Sequence, residues 1–207
     1  MPFVDLPPQL QERVVCSIAA AVKYQIPANI VLAVAEKEAG KPGQWVRNAN
    51  GTHDVGPMQF NTAYLRDLAR YGITPDDVAA AGCYAFDLAA WRLRQHIKKD
   101  KGDLWTRAAN YHSRTPQYNA EYRADLVVRA GRWADWLESR FVTVDVTKAD
   151  ALLSSMPGAL ATVQPAQAQT TKAATKVTAT PPQTPATTVA WNASGYVPRK
   201  VIISGQP

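Results

Sequence analysis

The stretch Pro27-Ala28-Asn29-Ile30-Val31-Leu32-Ala33-Val34-Ala35-Glu36-Lys37-Glu38 is an apolar run that ends in two acidic residues. Proline favours the first turn of a helix, and the apolar spacing after it predicts a helix that is buried on more than one side. Ala39-Gly40 follows at once, and the segment Gly56-Pro57-Met58-Gln59-Phe60-Asn61 comes sixteen residues after Gly40. An acid at the end of a buried helix, near a glycine-led polar loop, is typical of a cleft that cleaves sugars.

The helical phase separates the two glutamates. At about 100° per residue, Glu38 falls about 80° from Ile30 and inside the apolar stripe, whereas Glu36 falls at about 240°, on the opposite side. We therefore interpret Glu36 as a solvated carboxylate. Burial and the negative end of the helix dipole should both raise the pKa of Glu38, which would keep a proton available for general acid catalysis. The alternative is an ordinary C-terminal helix residue that points into solvent, and helical geometry alone does not decide between the two.

The loop residues after this helix suit a carbohydrate, and each also has a structural alternative. Gly56 allows backbone to approach a sugar, or it adopts a positive φ in a turn. Met58 offers an apolar wall to a pyranose ring, or it fills the core. Gln59 offers amide donors and a carbonyl acceptor to a hydroxyl or N-acetyl group. Asn61 precedes Thr62 and suits the N-cap of the next helix.

Three segments occur in a fixed order, namely Glu38-Ala39-Gly40, the loop over residues 50–61 and Tyr111-His112-Ser113. Together they resemble the lytic transglycosylases of the soluble (SLT) type. The resemblance is strongest to the small branch that accompanies type IV secretion, conjugation and type III secretion systems. It covers roughly residues 14 to 141, which is most of the part that we expect to fold.

The resemblance implies cleavage of the β-1,4 bond between N-acetylmuramic acid and N-acetylglucosamine in peptidoglycan without water, which leaves a 1,6-anhydromuramoyl end. Glu38 would protonate the leaving oxygen and then act as a base on the C6 hydroxyl of the muramoyl residue. The substrate's acetamido group would replace the second carboxylate that most glycosidases need. We interpret Asp54, the obvious second carboxylate, as an Asx-type residue that orders the turn before Gly56. No cofactor and no metal ion is implied.

The resemblance also implies a set of substrate-binding residues. They are Gly56, Met58, Gln59, Tyr111, His112 and Tyr122. The Tyr111 hydroxyl is expected to lie near Glu38 or near the acetamido group. Three positions depart from the broad family pattern, because Ala39 stands where Ser is common, Pro57 where Leu is usual, and His112 where Asn is usual. These departures concern substrate affinity and rate more than the type of reaction.

Helical patterns cover most of residues 1–153, and no alternating strand pattern is convincing. The predicted helices are 8–24, 27–38, 62–71, 75–81, 84–99, 104–111 and 119–141. Thr74 with Asp77 resembles a capping pair at the start of one of them. The fold class is therefore all-α. The resemblance implies a single lysozyme-like domain of the goose-type/SLT kind, with loops at 39–57 and 112–118 bordering one cleft.

Beyond Ser154 the composition changes to Ala, Thr, Pro, Gln and Val, without a single acidic residue. Such a segment cannot bury enough apolar surface to offset its ordering entropy, so we predict a disordered C-terminal tail over residues 154–207. The tail is either a plain linker or a contact to secretion or conjugation machinery, and Trp191–Gly205 is its part best suited to docking.

The charge follows the same boundary. Residues 1–150 carry 19 basic and 17 acidic residues, so most of the net charge of +6 belongs to the tail. Because the charge of the domain is balanced and forms no basic stripe, we expect no nucleic-acid binding.

Cys16 and Cys83 fit no metal-binding spacing, and the chain has no Cys-x-x-Cys pair. The resemblance implies that they form a disulfide, which indicates the periplasm as an oxidising compartment. Two buried free thiols are the alternative. No signal peptide is visible in residues 1–8, which include Asp5 and lack a basic start and an apolar core. Either the signal was removed, or translation starts elsewhere, or export uses another route. No stretch is apolar enough to span a membrane.

Two other functions would use the same cleft. One is a catalytically silent peptidoglycan-binding assembly factor, and the other is a lysozyme-type hydrolase, which would leave reducing muramoyl ends. In each case the expected partner is the peptidoglycan glycan strand, and the protein is expected to be a monomer.

Overall fold

The computed structural model describes residues 6–145 and 198–201. Within these residues the helices are α1 (Pro8–Tyr24), α2 (Ala28–Glu38), α3 (Thr62–Leu68), α4 (Pro75–Ala79), α5 (Tyr84–Lys99), α6 (Leu104–Ala109) and α7 (Pro116–Glu138), with a 3-10 turn at Ala69–Tyr71. Each predicted helix is present, with its ends shifted by a few residues, so the predicted helical fold is confirmed. No helix in this part of the chain is both long and apolar enough to cross a membrane.

Helix α2 lies at the centre of the core. Residues 28–35 are all buried, as the apolar run predicts. The helix packs against α1 on one side and α7 on the other. It ends at Ala39, which adopts the left-handed conformation with φ 50°. Glu38 therefore lies at the C-terminal end of a helix that packs against neighbouring helices on two sides.

Polar caps determine where two of the helices begin. The Asn61 side chain accepts a hydrogen bond of 2.9 Å from the Ala63 N–H and caps α3. Thr74 and Asp77 form a reciprocal capping box at the start of α4. Both caps were predicted from the sequence, and both are confirmed.

A small antiparallel sheet follows α2, contrary to the expectation that the domain has no strands. Its strands are β1 (Trp45–Arg47), β2 (His53–Val55) and β3 (Phe60–Asn61), in that spatial order. Trp45 pairs with Val55, and Asp54 pairs with Asn61. Strands of two or three residues are too short to show a period of two in the sequence. The sheet brings the turn after β2 back to the end of α2.

The two cysteines form the implied disulfide, which joins α1 to the residue before α5. Cys16 and Cys83 are 67 positions apart in the sequence. The alternative of two free thiols is therefore wrong, because neither cysteine is free.

Part of the predicted tail packs on the domain. Strand β4 (Thr143–Asp145) pairs antiparallel with β5 (Arg199–Val201), and Thr143 lies opposite Val201. Val201 is only 7% exposed, and β5 contacts both α1 and α2. For these three residues a strand replaces the predicted disorder, because Val201 reaches an apolar surface of the core. The rest of the tail lies outside the described residues.

Candidate active site

Glu38 shares a short hydrogen bond with a tyrosine from the opposite side of the core. Its carboxylate Oε1 accepts a bond of 2.6 Å from the hydroxyl of Tyr122 on α7. The Tyr122 side chain is buried, with 4% of its surface exposed, whereas Glu38 keeps partial contact with solvent. The carboxylate thus lies at the edge of the core, where it can be reached from outside.

The pKa of Glu38 is raised to about 7, chiefly because burial disfavours its charged form. The hydrogen bond from Tyr122 and the positive charges of Arg92 and Lys37 act in the opposite direction, while the charge of Asp54 raises the pKa further. A carboxyl group with a pKa near neutrality holds a proton for transfer and can also take one back. The rise in pKa that the position on the helix predicts is confirmed.

Tyr122 is held as a hydrogen-bond donor by its surroundings. Burial raises the pKa of its hydroxyl well above the ordinary value, so the group keeps its proton. The exposed ring of His112 stacks on the Tyr122 ring, with 4.8 Å between the centroids and 4° between the planes. Burial lowers the pKa of His112, so a neutral imidazole covers this tyrosine near neutral pH. His112 thus joins Tyr122 beside the Glu38 carboxyl group.

Tyr111 does not donate its hydroxyl to Glu38. Its hydroxyl donates a hydrogen bond of 2.9 Å to the backbone carbonyl of Met58, and its buried ring meets Phe60 edge-on. Tyr122 is the donor to Glu38 instead, and the expected position of the Tyr111 hydroxyl near the acetamido group of a substrate stays a prediction. Tyr111 instead fixes the backbone of the loop that faces the acid.

Met58 belongs to the core. Its side chain is completely buried, and it lies in the same apolar cluster as Phe60 and Leu65. The interpretation of this side chain as a wall for a pyranose ring is therefore wrong, because no sugar can reach it. The structural alternative, a methionine that fills the core, describes its position.

Two glycines allow the loop to touch the end of α2. Gly56 has φ 71°, and a Cβ atom added to it would lie 2.0 Å from the Val78 carbonyl oxygen. A Cβ atom added to Gly40 would lie 2.1 Å from the Gly56 carbonyl oxygen and 2.6 Å from Nε2 of Gln59. Gly56 therefore serves the turn, and its expected approach to a sugar stays a prediction. The role of Gly40 as a contact point was not predicted, since spacing alone does not reveal which backbones meet.

Gln59 lies in this turn with one side of its amide already used. Its Nε2 donates a hydrogen bond of 2.8 Å to the Gly56 carbonyl, and its backbone has φ 49°. Among the described residues nothing donates a hydrogen bond to its Oε1, and the side chain is half-buried. Gln59 thus keeps one amide acceptor that no described residue uses.

Asp54 lies on β2 and does not form the predicted Asx turn. Its Oδ1 accepts a hydrogen bond of 2.8 Å from Nδ2 of Asn61, its partner across the sheet. The predicted Asx geometry is wrong because the residue is extended and paired. The carboxylate still has a structural partner, and it acts on Glu38 through its charge.

Glu36 is not the solvated carboxylate that the helical phase suggests. It accepts hydrogen bonds from Arg129 at 2.6 Å, from Arg132 at 2.9 Å and from the Trp133 indole at 2.7 Å. These donors belong to α7, which covers the side of α2 opposite the apolar stripe. Glu36 therefore joins the two helices that carry Glu38 and Tyr122.

Comparisons with known proteins place this sequence in a family. The transglycosylase SLT domain model matches residues 15–123, a range that includes Glu38, Gln59 and Tyr122. Invasion protein IagB of Salmonella typhimurium is 25% identical over 109 residues, which are 52% of this chain and 68% of the relative. Protein IpgF of Shigella flexneri is 30% identical over 101 residues, which are 48% of this chain and 66% of the relative.

The matched residues include most of the helical core and every residue that surrounds the raised-pKa carboxyl group. The lysozyme-like fold class is confirmed with the family. The fold and the site agree with this match, and the chain belongs to the transglycosylase SLT family.

Proposed function

We propose that this protein is a peptidoglycan lytic transglycosylase in which Glu38 is the single catalytic acid and base. Family membership supports peptidoglycan as the substrate. The observation that carries the proposal is the Glu38 carboxyl group, whose pKa is raised to about 7 and which is hydrogen bonded to a buried tyrosine.

In the first step protonated Glu38 gives its proton to the oxygen between the muramoyl and glucosaminyl residues. The bond from the muramoyl C1 to this oxygen breaks, and the acetamido carbonyl of the muramoyl residue stabilises the cationic centre. As the proton leaves, negative charge grows on the Glu38 carboxylate. The Tyr122 hydroxyl is already in place to donate to that charge, so this hydrogen bond strengthens as the reaction proceeds.

In the second step the Glu38 carboxylate takes the proton of the muramoyl C6 hydroxyl. The freed oxygen attacks C1 and closes the 1,6-anhydro ring, so no water is consumed. Glu38 is then protonated again and ready for the next bond. One group can serve both steps because, with a pKa of about 7, the protonated and the charged forms of Glu38 are both readily populated at neutral pH.

The other residues hold the substrate or shape the loop beside it. We assign substrate contact to Gln59, through its free Oε1, and to the exposed ring of His112. Gly56, Met58 and Tyr111 are assigned to the position of the loop, because their contacts are internal.

Replacing Glu38 with Gln tests the assignment on purified sacculi. Loss of a general acid and base should reduce muropeptide release by about 10²- to 10⁴-fold. Glu121→Gln is the matched control, because it removes an exposed carboxylate that does not join α2 to α7. Equal release by the wild type and Glu38→Gln would refute the role of Glu38. A folded wild type that binds sacculi but releases nothing would indicate the silent assembly factor.

Mass spectrometry of the released fragments distinguishes the two enzymes. A lytic transglycosylase leaves an anhydro end that is one water lighter than the reducing end left by a lysozyme-type hydrolase. Reducing ends alone would overturn the second step proposed above.

We also propose that the enzyme acts in the periplasm and opens the wall locally for a secretion or conjugation apparatus. Peptidoglycan as substrate and a Cys16–Cys83 disulfide support an oxidising compartment outside the cytosol. The resemblance to the secretion-associated branch, together with a relative named as an invasion protein, supports the link to an apparatus. Fractionation of the producing cells, with the thiol state of the two cysteines as a readout, tests the compartment.

A further inference from the structure

Arg92 on α5 lies between two tyrosines of the active-site region. Its guanidinium carbon is 4.2 Å from the Tyr64 ring centroid and 4.7 Å from the Tyr111 ring centroid. Stacking on two aromatic faces fixes the planar group at little cost in side-chain freedom. The residue is half-buried, so part of it still meets solvent while the two rings hold its guanidinium.

The charge of Arg92 has no carboxylate partner among the described residues. Some arginines of the domain have such a partner, as Arg129 and Arg132 have in Glu36. Lys37, the second cation that acts on Glu38, forms an ion pair with Asp125. Arg92 is therefore the cation near the acid whose donors are not used by an internal acidic group.

The contacts of Arg92 place it beside the loop that contains Met58 and Gln59. Tyr111, on which it stacks, donates its hydroxyl to the Met58 carbonyl, and Gln59 is the next residue along the chain. The positive charge of Arg92 also acts on the pKa of Glu38 and of His112. A substrate that reaches Glu38 therefore comes within range of this guanidinium.

A guanidinium that is held between two rings on a half-exposed residue, without a carboxylate partner in the described part of the chain, is suited to bind a carboxylate through two parallel hydrogen bonds. In a peptidoglycan strand the N-acetylglucosamine residues carry no charge. Carboxylates occur only on the muramoyl residues, as the lactyl group where the peptide is absent and as peptide carboxylates where it is present.

We propose that Arg92 is a specificity residue that binds a carboxylate borne by the muramoyl residue and so selects peptidoglycan over neutral glycans. This inference rests on the proposed function, since it assigns a contact to the same substrate. The inference concerns recognition of the substrate, whereas the proposed function concerns proton transfer.

The test measures binding in the full chain with Glu38→Gln as background, so that no turnover interferes. Arg92→Met keeps a flexible apolar side chain between the tyrosine rings but removes the charge. Three ligands are compared, namely glycan fragments with peptides, the same fragments stripped of peptides by an amidase, and chitohexaose, which has no carboxylate. We expect Arg92→Met to weaken binding of a carboxylate-bearing fragment about tenfold or more and to leave chitohexaose binding unchanged.

The ligands also identify the source of the carboxylate. A loss confined to the stripped fragments assigns the lactyl carboxylate, and a loss confined to the peptide-bearing fragments assigns a peptide carboxylate. Equal losses for all three ligands, or no loss for any, would overturn the proposal. Arg70→Met is the matched control, because Arg70 stacks on Tyr71 at 4.9 Å on an exposed turn and should not affect any of the ligands.

Folding is checked by the thermal unfolding of each variant. If Arg92→Met is unfolded, Arg92→Gln gives the same comparison with a neutral polar side chain. Failure of the proposed function is seen separately, as the absence of anhydro products from the chain with Glu38 intact. The comparison of chitohexaose with the carboxylate-bearing fragments is made by binding, so it does not depend on whether anhydro products are formed.

Discussion

The Tyr122 hydroxyl and the Glu38 carboxylate are joined by a 2.6 Å hydrogen bond across 84 positions of the sequence. The bond connects the end of α2 to the first half of α7, and Glu36 connects the same two helices on another side through Arg129 and Trp133. The acid is thus held by contacts between two long helices rather than by loops. Its orientation and its pKa depend on how these helices pack.

The first prediction concerns this bond. Tyr122→Phe removes a donor that favours the charged form of Glu38, so the pKa of Glu38 should rise above its present value of about 7. If Glu38 is the general acid, as proposed, it must be protonated to act, so the pH at which kcat/KM falls on the alkaline side should rise by about one pH unit. The maximal rate should fall, since the carboxylate that forms during proton transfer loses its donor. A pH profile on soluble glycan fragments measures both effects.

The control for Tyr122→Phe is Tyr118→Phe, on the same helix, because Tyr118 is 54% exposed. It should leave the profile unchanged. An alkaline limb that stays in place in Tyr122→Phe would show that Glu38 is not the group that titrates.

The second prediction concerns stability and pH. The folded-state pKa of Glu38, about 7, lies above the ordinary 4.5, so the unfolded chain loses this proton first as the pH rises. The contribution of Glu38 to stability is therefore fully present below pH 4.5 and is lost as the pH rises through 7. The loss is about 3 kcal/mol for a shift of this size. Urea unfolding should show that Glu38→Gln gains stability over the wild type by about this amount between pH 4 and pH 8.

Glu36→Gln, on the same helix, should behave in the opposite way. It leaves Arg129 and Arg132 without a charged acceptor and should be less stable than the wild type at pH 8. A Glu38→Gln variant whose stability follows that of the wild type at every pH would contradict the raised pKa.

The third prediction tests the contact between the helix end and the loop. Gly40→Ala places a Cβ atom 2.1 Å from the Gly56 carbonyl oxygen, and neither backbone can move without displacing Glu38 or Gln59. We expect a loss of about 1–3 kcal/mol in stability and at least about tenfold in activity. Gly43→Ala is the control, since no atom lies within 4 Å of the added group and only the left-handed φ of 73° is penalised. If both variants lose activity equally, the close contact between Gly40 and Gly56 is not the cause of the loss.

The fourth prediction concerns the disulfide. In the chain-entropy account, a link between residues 67 positions apart stabilises the folded state by about 4 kcal/mol. The double variant Cys16→Ser with Cys83→Ser should unfold at correspondingly lower urea. Reductant should have the same effect on the wild type and none on the variant. A wild type that is insensitive to reductant under unfolding conditions would contradict a structural bond.

The fifth prediction concerns strand β5. Val201 is 7% exposed, so Val201→Asp buries a charge against α1 and α2 and should cost at least about 2 kcal/mol. Val142→Asp, at a position that is 69% exposed, should change stability by less than about 0.5 kcal/mol. Truncation after Ser154 should therefore lower the melting temperature although it removes no residue of the site. Equal melting temperatures for both variants would show that β5 does not pack on the domain.

The sequence predicts well whatever depends on residues near one another in the chain. The apolar run before Glu38 predicts a buried helix, and Asn61 and Thr74 predict helix starts, because caps and helical phase act over three or four residues. The helices are consequently found close to their predicted ends.

The sequence predicts poorly whatever depends on packing between distant elements. Helical phase places Glu36 opposite the apolar stripe, yet it cannot show that α7 covers that side as well. Two tyrosines were available to serve Glu38, and only the packing of α7 gives the position to Tyr122 rather than Tyr111. Arg92 carries no sequence signal, since an arginine on a charged helix ordinarily indicates a solvated surface.

The pairing of β4 with β5 changes the topology of the C-terminal part of the chain. A tail attached at one end would be released by a single cut, whereas the chain leaves this domain at Asp145 and returns to the same strand pair at Arg199. A protease that cuts once between these points would leave the last strand associated through its hydrogen bonds and through Val201. Whatever binds the intervening segment would therefore be attached to the enzyme at two points, Asp145 and Arg199, and the second belongs to a strand that contacts α1 and α2.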